Sequence, residues 1–227
     1  MTLRARCALW WRWVLANALS ETLGLGSTFA IGFGLFAGLP EPSAAPVAIG
    51  QALLMTASGL LEGAIVGLAQ WRVLRAPFPR LTRRTWVAAT ILGALLAWAC
   101  GSVPMTLASL SAGPEQATAT EPAGWVIALA AAGMGAVAGL VLALFQWRAL
   151  RAHVRGAALW LPAHALAWAL GMPLIFAAVD LAQTAGSLAG ALALMAAAIA
   201  LVGALVGAIH GLALVKLAAP EDCSTRV

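Results

Sequence analysis

The sequence predicts an all-α, polytopic membrane protein of six transmembrane helices, arranged as three repeated antiparallel hairpins. The chain of 227 residues is 63% hydrophobic and 9% charged, whereas soluble domains carry about 25% charged residues to cover a water-facing surface. Apolar runs of about 20 residues recur along its whole length, each long enough to cross a hydrocarbon core of about 30 Å. Alternate runs also end in a repeated sequence, which is typical of tandem structural units.

Short polar or turn-forming connections separate the six candidate spans. The spans cover approximately residues 10–38, 46–73, 84–108, 124–149, 157–183 and 186–215. The first connection contains turn-forming Pro and Ser, and the third, at 111–124, is the longest polar segment. Because no connection is large enough to form a soluble domain, residues 1–227 are predicted to form a single membrane domain.

The basic residues indicate how the spans are oriented. With six spans, all 13 Lys and Arg residues fall on one side, in the two termini and in the second and fourth connections. The other side carries Glu41, Glu115, Glu121 and Asp180 and no basic residue. The positive-inside rule assigns the basic side to the cytoplasm, so both termini are predicted to be cytoplasmic.

A repeated motif defines the three hairpins. Even-numbered spans end in GAIVGLAQWRVLR, GLVLALFQWRALR and GALVGAIHGLALV, and odd-numbered spans begin with WVLANAL, WVAATIL and WLPAHAL. The repeated unit is therefore an odd helix, an outer loop and an even helix. The three units cover approximately residues 10–75, 84–151 and 157–217. The glycines of the motif are expected to let neighbouring helices approach closely.

These tandem units resemble a group of uncharacterised bacterial multi-pass membrane proteins that carry GAxxGxxQWxxLR hairpin repeats. The resemblance covers most of the chain, although the third unit has His210 and Gly211 where Gln-Trp would stand. It implies the cytoplasmic (inner) membrane of a bacterium and no particular activity. The Trp and Arg residues of the motif are expected to lie at the boundary of the bilayer, against anionic headgroups on the cytoplasmic face.

Two carboxyl groups near the bilayer centre are the sharpest functional signal. Glu21 and Glu62 each lie about eleven residues, or roughly 16 Å, from the cytoplasmic end of their spans, on the two helices of one hairpin. A charged group at this depth costs about 2.5–3.5 kcal/mol and is a functional-site hypothesis by default. We expect at least one of the pair to hold a proton near pH 7. Helical spacing adds Asn17, Ser58 and Gln51 to the predicted solute- or cation-binding site.

A second set of polar residues lies nearer the cytoplasmic face. Alignment of the repeats superposes Gln70 and Gln146 on His210, and Asn17 and Thr90 on His164. Because these positions accept different polar residues, we interpret them as a hydrogen-bonding layer. The two histidines share one depth on paired helices, so ligation of haem iron is an alternative.

Three functions follow from these patterns. The leading hypothesis is a membrane protein that binds or transports a small solute or cation around Glu21 and Glu62. The first alternative is a non-catalytic scaffold or accessory subunit for a membrane-protein partner, and the second is a bis-His haem or quinone-binding protein. No catalytic motif or metal-ligand spacing occurs, so neither an enzyme nor a metal site is predicted. The basic residues form no continuous stripe, which argues against nucleic acid.

Overall fold

The computed structural model describes residues 1–36, 45–111 and 122–219. These residues form six α-helices and no strand. The helices are α1 Leu3–Phe36, α2 Ala45–Leu74, α3 Arg83–Ser111, α4 Gly124–Leu150, α5 Trp160–Gln183 and α6 Leu188–Leu217, with a short 3-10 helix, Ala157–Leu159, before α5. The all-helical fold class is therefore confirmed. The acidic positions Glu41, Glu115 and Glu121 lie outside the described residues.

Five helices, α2 to α6, are long and apolar enough to cross a membrane. Only 22–33% of the residues in their most apolar segments are buried inside the protein, so most of their apolar surface faces outwards. A surface of this kind suits contact with lipid. The chain thus has the architecture of a multi-pass membrane protein.

Helix α1 differs from the other five in its composition. It is the longest helix, at 34 residues, and it carries buried polar residues at its centre, namely Asn17, Ser20, Glu21 and Thr28. Helix α1 is not among the five helices that are long and apolar enough to cross a membrane by length and composition. That α1 forms a sixth span stays a prediction. Helix α1 begins at Leu3, before the predicted span, because the segment that carries Arg4 and Arg6 is also helical.

The six helices form a closed ring. Each helix packs against its neighbours in the chain, and α6 returns to pack against α1. Neighbouring helices are antiparallel, as seen between α2 and α3, where Gly63 contacts Ile91 while Gly67, one turn further on, contacts Val87. The start of α1, the α2–α3 and α4–α5 connections and the end of α6 therefore share one end, which we call the basic end.

Glycines make the closest helix contacts. A Cβ atom added to Gly63 of α2 would lie 2.6 Å from the Cα of Ile91 in α3, and one added to Gly139 of α4 would lie 2.6 Å from the carbonyl oxygen of His164 in α5. Gly203 of α6 faces Ala18 of α1 in the same way, at 3.0 Å. Close approach at the repeat glycines is thus confirmed. These contacts join each even helix to the next odd helix, so the tightest packing lies between the predicted hairpins.

Tryptophan forms the centre of the core at the basic end. Trp13, Trp86 and Trp160 are each 0% exposed, and the Trp160 ring contacts both of the others edge to face, with centroids 5.7 and 6.0 Å apart. Leucines from the ends of α2, α4 and α6 complete this cluster. Bulky aromatic rings packed in this way close the interior of the ring at its basic end.

Candidate functional site

A hydrogen-bonded layer lies directly above the three tryptophans. It consists of six buried residues, one from each helix, and we call it the polar layer: Asn17, Gln70, Thr90, Gln146, His164 and His210. Because neighbouring helices are antiparallel, these residues of the basic half meet at one level across the ring. The structure thus brings together all five residues of the predicted cytoplasmic-side layer and adds Asn17 to them.

Amide side chains connect the polar layer. Gln70 Nε2 donates to Asn17 Oδ1 at 2.9 Å, and Gln146 Nε2 donates both to Gln70 Oε1 at 3.1 Å and to Thr90 Oγ1 at 3.0 Å. Trp160 Nε1 donates to Gln146 Oε1 at 2.9 Å. Gln146 therefore links α2, α3 and α5 to α4. These polar groups can be buried because they form hydrogen bonds with one another.

The two histidines of the layer stack on each other. Their ring centroids are 4.3 Å apart and their planes differ by 4°, and Trp13 Nε1 donates to His210 Nδ1 at 2.7 Å. Haem ligation requires an iron and its porphyrin between the two imidazoles. Rings in van der Waals contact leave no room for that group, so the arrangement of His164 and His210 does not fit the haem alternative.

Some polar atoms of the layer and of the tryptophans beneath it find no partner among the described residues. Both ring nitrogens of His164 and the Nε1 atom of Trp86 are buried without a hydrogen bond there. The equivalent tryptophans of the other two units do donate a hydrogen bond. Trp13 donates to His210 of α6, and Trp160 donates to Gln146 of α4. The hydrogen bonding of the three units is therefore not equivalent.

A cavity of about 670 Å³ lies on the other side of the polar layer, away from the basic end. Its walls come from α1 to α5. Along α2 they extend from Ala48, near the start of the helix, to Glu62 at mid-helix depth, and Gln51 and Met55 lie between these two. This volume falls within the usual range of about 300–1,000 Å³ for small-molecule sites.

The lining of the cavity is mostly apolar, with a few polar groups. Met55, Met105, Met134 and Met172 contribute flexible thioether side chains from four helices. Aromatic rings come from Phe29, Trp98, Trp168 and Phe176, and hydroxyl groups of α3 come from Ser102, Thr106 and Ser109. An apolar pocket with a small number of placed polar groups is the usual form of a ligand site.

Glu62 is the acidic group of this cavity. Trp98 Nε1 of α3 donates to its Oε2 atom at 2.8 Å, which fixes the orientation of the carboxyl group. On α1, Gly24 lets the two helices come together at this point, because a Cβ atom there would be 3.1 Å from the Cα of Glu62. Trp98 was not identified from the sequence. Its signal was an indole N–H at mid-membrane depth, which needs an acceptor when it is buried.

Glu21 lies behind Glu62 and outside the cavity lining. It is 4% exposed, packs against Gly203 of α6, and its Oε2 atom has no hydrogen-bond partner among the described residues. Gly24, three residues after Glu21 on α1, packs against Glu62, so the structure places the two predicted residues near each other at the α1–α2 contact. One of them faces the cavity and the other faces the α1–α6 contact.

The remaining predicted site residues are divided between the two regions. Gln51 lines the cavity. Ser58 is buried next to it and donates to the carbonyl oxygen of Met55 at 2.6 Å. Asn17 belongs to the polar layer, where its amide donates to the carbonyl oxygen of Trp13 and its Oδ1 accepts from Gln70. Their role in binding stays a prediction.

Comparison of the chain with protein-family models, with curated proteins and with solved structures finds no match. The class of protein therefore follows from the fold and the site alone: a multi-helix membrane protein with an internal cavity above a closed polar layer.

Proposed function

We propose that this protein binds a small solute within the membrane, in the cavity that contains Glu62. The single observation that carries the proposal is a 670 Å³ space of ligand size with one carboxyl group in its wall. Lining of this kind holds the body of a solute by apolar contact and orients it through a few polar groups. Transport of the solute would require the polar layer to open, since that layer and the tryptophans beneath it close the path to the basic end.

The membrane placement belongs to the same proposal. Six spans, with both termini and the basic end in the cytoplasm of a bacterium, agree with the distribution of the basic residues. At the basic end, the guanidinium groups of Arg75 and Arg151 lie over the rings of Trp71 and Trp147, at 5.6 and 4.8 Å from the centroids. Such pairs suit the headgroup region and contact with anionic lipid.

A threefold repeat of the hairpins is supported by the glycine contacts. Each repeat glycine faces the aligned polar position of the next odd helix. Gly63 faces Thr90 and Ile91 of α3, Gly139 faces His164 of α5, and Gly203 faces Asn17 and Ala18 of α1. These are the positions that the sequence motif aligns. The repeated residues would thus form the helix contacts of the ring. Sequence differences between the three units, at the end away from the basic end, would form the single cavity.

A scaffold or accessory subunit is the second candidate. The polar layer favours it, because these buried groups bond mainly to one another and need no solute to satisfy them. Under this proposal Glu21 and Glu62 also serve only to hold α1, α2 and α3 together.

A cavity-filling substitution tests the first proposal. Gly101 lines the cavity, and a Cβ atom added there meets no heavy atom within 4 Å, so Gly101→Leu has room to fold. We expect native mass spectrometry of the purified protein to show a bound small molecule in the wild type and a loss of about tenfold or more in occupancy in Gly101→Leu.

Gly133→Leu is the matched control, since Gly133 is exposed, has the same open surroundings and does not line the cavity. It should retain the bound molecule. Equal occupancy in Gly101→Leu and Gly133→Leu would contradict the cavity proposal, and an empty protein that copurifies with another polypeptide would favour the scaffold.

A further inference from the structure

Among the residues that the structure describes, the wall of the cavity contains one carboxyl group and no basic side chain. Glu62 is the one acidic residue among those that line it, and no Lys, Arg or His is in the lining. Its described polar partner, the indole of Trp98, is a neutral donor. A second carboxyl group, that of Glu21, lies nearby at the α1–α6 contact. When Glu62 is ionised, its negative charge is therefore not balanced by any described side chain that lines the cavity.

The apolar part of the lining suits a cation as well. Trp98 and Trp168 line the same cavity as Glu62, and the indole ring attracts cations most strongly of the aromatic side chains. The methionines add polarisable, flexible surface that adapts to bulky ligands of different shape. A strongly hydrated ion would gain little from such walls, because few oxygen ligands could replace its water.

We infer that the ligand of this cavity is a lipophilic monocation, whose charged centre sits beside Glu62 and whose apolar body fills the space lined by aromatic and methionine side chains. This inference rests on the proposed function and specifies the class of its solute. A single positive charge offsets the carboxylate that the protein leaves unpaired. The apolar body gains free energy by leaving water for the cavity.

Two probes of similar shape and different charge test the inference. Tetraphenylphosphonium is a lipophilic cation, and triphenylphosphine oxide is a neutral aromatic analogue. Saturable binding of each is measured by isothermal titration calorimetry to the full-length protein in lipid nanodiscs, with empty nanodiscs as the baseline. We expect the wild type to bind the cation at least about tenfold more tightly than the neutral analogue.

Three variants test whether the preference for the cation over the neutral analogue comes from the carboxylate of Glu62. Glu62→Gln should weaken binding of the cation by roughly tenfold to a hundredfold while leaving the neutral analogue unchanged, because it removes only the charge. Glu62→Asp, which keeps the charge, should retain the preference for the cation. Asp180→Asn is the matched control for loss of a carboxylate, because Asp180 is exposed on α5 and does not line the cavity, and it should bind as the wild type does. Circular dichroism and size-exclusion profiles confirm that each variant is folded.

The possible failures of the two proposals can be told apart. Equal affinity of the wild type for both probes, or no effect of Glu62→Gln on the cation, would overturn the assignment to cations. If Gly101→Leu nevertheless abolished binding of both probes, the cavity would remain the binding site. An absence of saturable cation binding by the folded wild-type protein would overturn the inference directly.

Discussion

Glu62 illustrates how one residue is defined by the helices around it. Its place on α2 sets its depth, Gly24 of α1 lets a neighbouring helix approach its backbone, and Trp98 of α3 bonds to its carboxyl group. Glu21 has the same depth from the sequence but faces Gly203 and the α1–α6 contact. Two residues that are equivalent by depth thus differ in what they can do, because only one borders the cavity.

Gln146 gives a test of the polar layer. It makes hydrogen bonds with Gln70, Thr90 and Trp160, and Gln146→Leu would leave these buried partners unsatisfied. We expect the free energy of unfolding to fall by about 1–3 kcal/mol, measured by denaturant titration in detergent micelles. Gln183→Leu, the same substitution at an exposed position, should change it little. Comparable stability of the two variants would show that the layer does not hold the ring together.

At the residue scale, the sequence predicted the depth of the polar residues along their helices better than it predicted their hydrogen-bonding partners. The repeats aligned Gln70 with Gln146 and Thr90 with His164, and the structure places these residues at one level. Which side chain bonds to which could not be predicted, because the helices are apolar on nearly all sides and their rotation is not fixed by a polar face. The repeats also aligned Asn17 with Thr90 and His164, and it bonds to Gln70 of the polar layer, while its predicted role at the Glu21 site stays a prediction.

At the scale of the helix, close packing depends on which face of each helix carries glycine. On α4, Gly135 and Gly139 face α5, while Gly133 faces open space. Since lipid supplies no hydrophobic drive for association between helices, such small-residue faces determine which helices meet. The sequence predicted these faces, but it did not show that they join α2 to α3, α4 to α5 and α6 to α1.

Two alanine substitutions on one helix separate packing from helix propensity. In Gly139→Ala the new Cβ would lie 2.6 Å from the carbonyl oxygen of His164, which is too close without a backbone shift. We expect destabilisation of about 1–3 kcal/mol by overpacking. Gly133→Ala has no such contact and should be neutral or stabilising by about 0.5–1 kcal/mol. Thermal unfolding of both variants in the same detergent would measure the difference, and equal effects would contradict the close approach.

At the scale of the whole molecule, the ring separates two regions of different character. The basic end is filled by tryptophan and leucine beneath the polar layer, and the other half encloses the cavity. The all-helical class and the apolar spans were predictable because they depend on composition and length alone. The cavity was not, since its walls come from five helices and its existence depends on which side chains fail to fill the space.

The orientation of the molecule can be measured through Cys7. This thiol is exposed near the start of α1, at the basic end. In a variant that retains only Cys7, with Cys100→Ala and Cys223→Ala, we expect a membrane-impermeant maleimide to label inverted vesicles and not intact cells. The physical reason is that basic segments remain on the cytoplasmic side. Labelling of intact cells would contradict the predicted topology.

The closure of the ring by α6 against α1 has a consequence for biogenesis. Gly203 and Gly207 of α6 cover the segment of α1 that bears Asn17 and Glu21, so the first described helix to leave the ribosome is shielded by the last. A nascent chain must therefore hold its least apolar helix in or beside the insertion machinery while the other helices are synthesised. Contacts so distant in sequence form late, so α6 can dock on α1 and close the ring only after Gly203 and Gly207 have been synthesised.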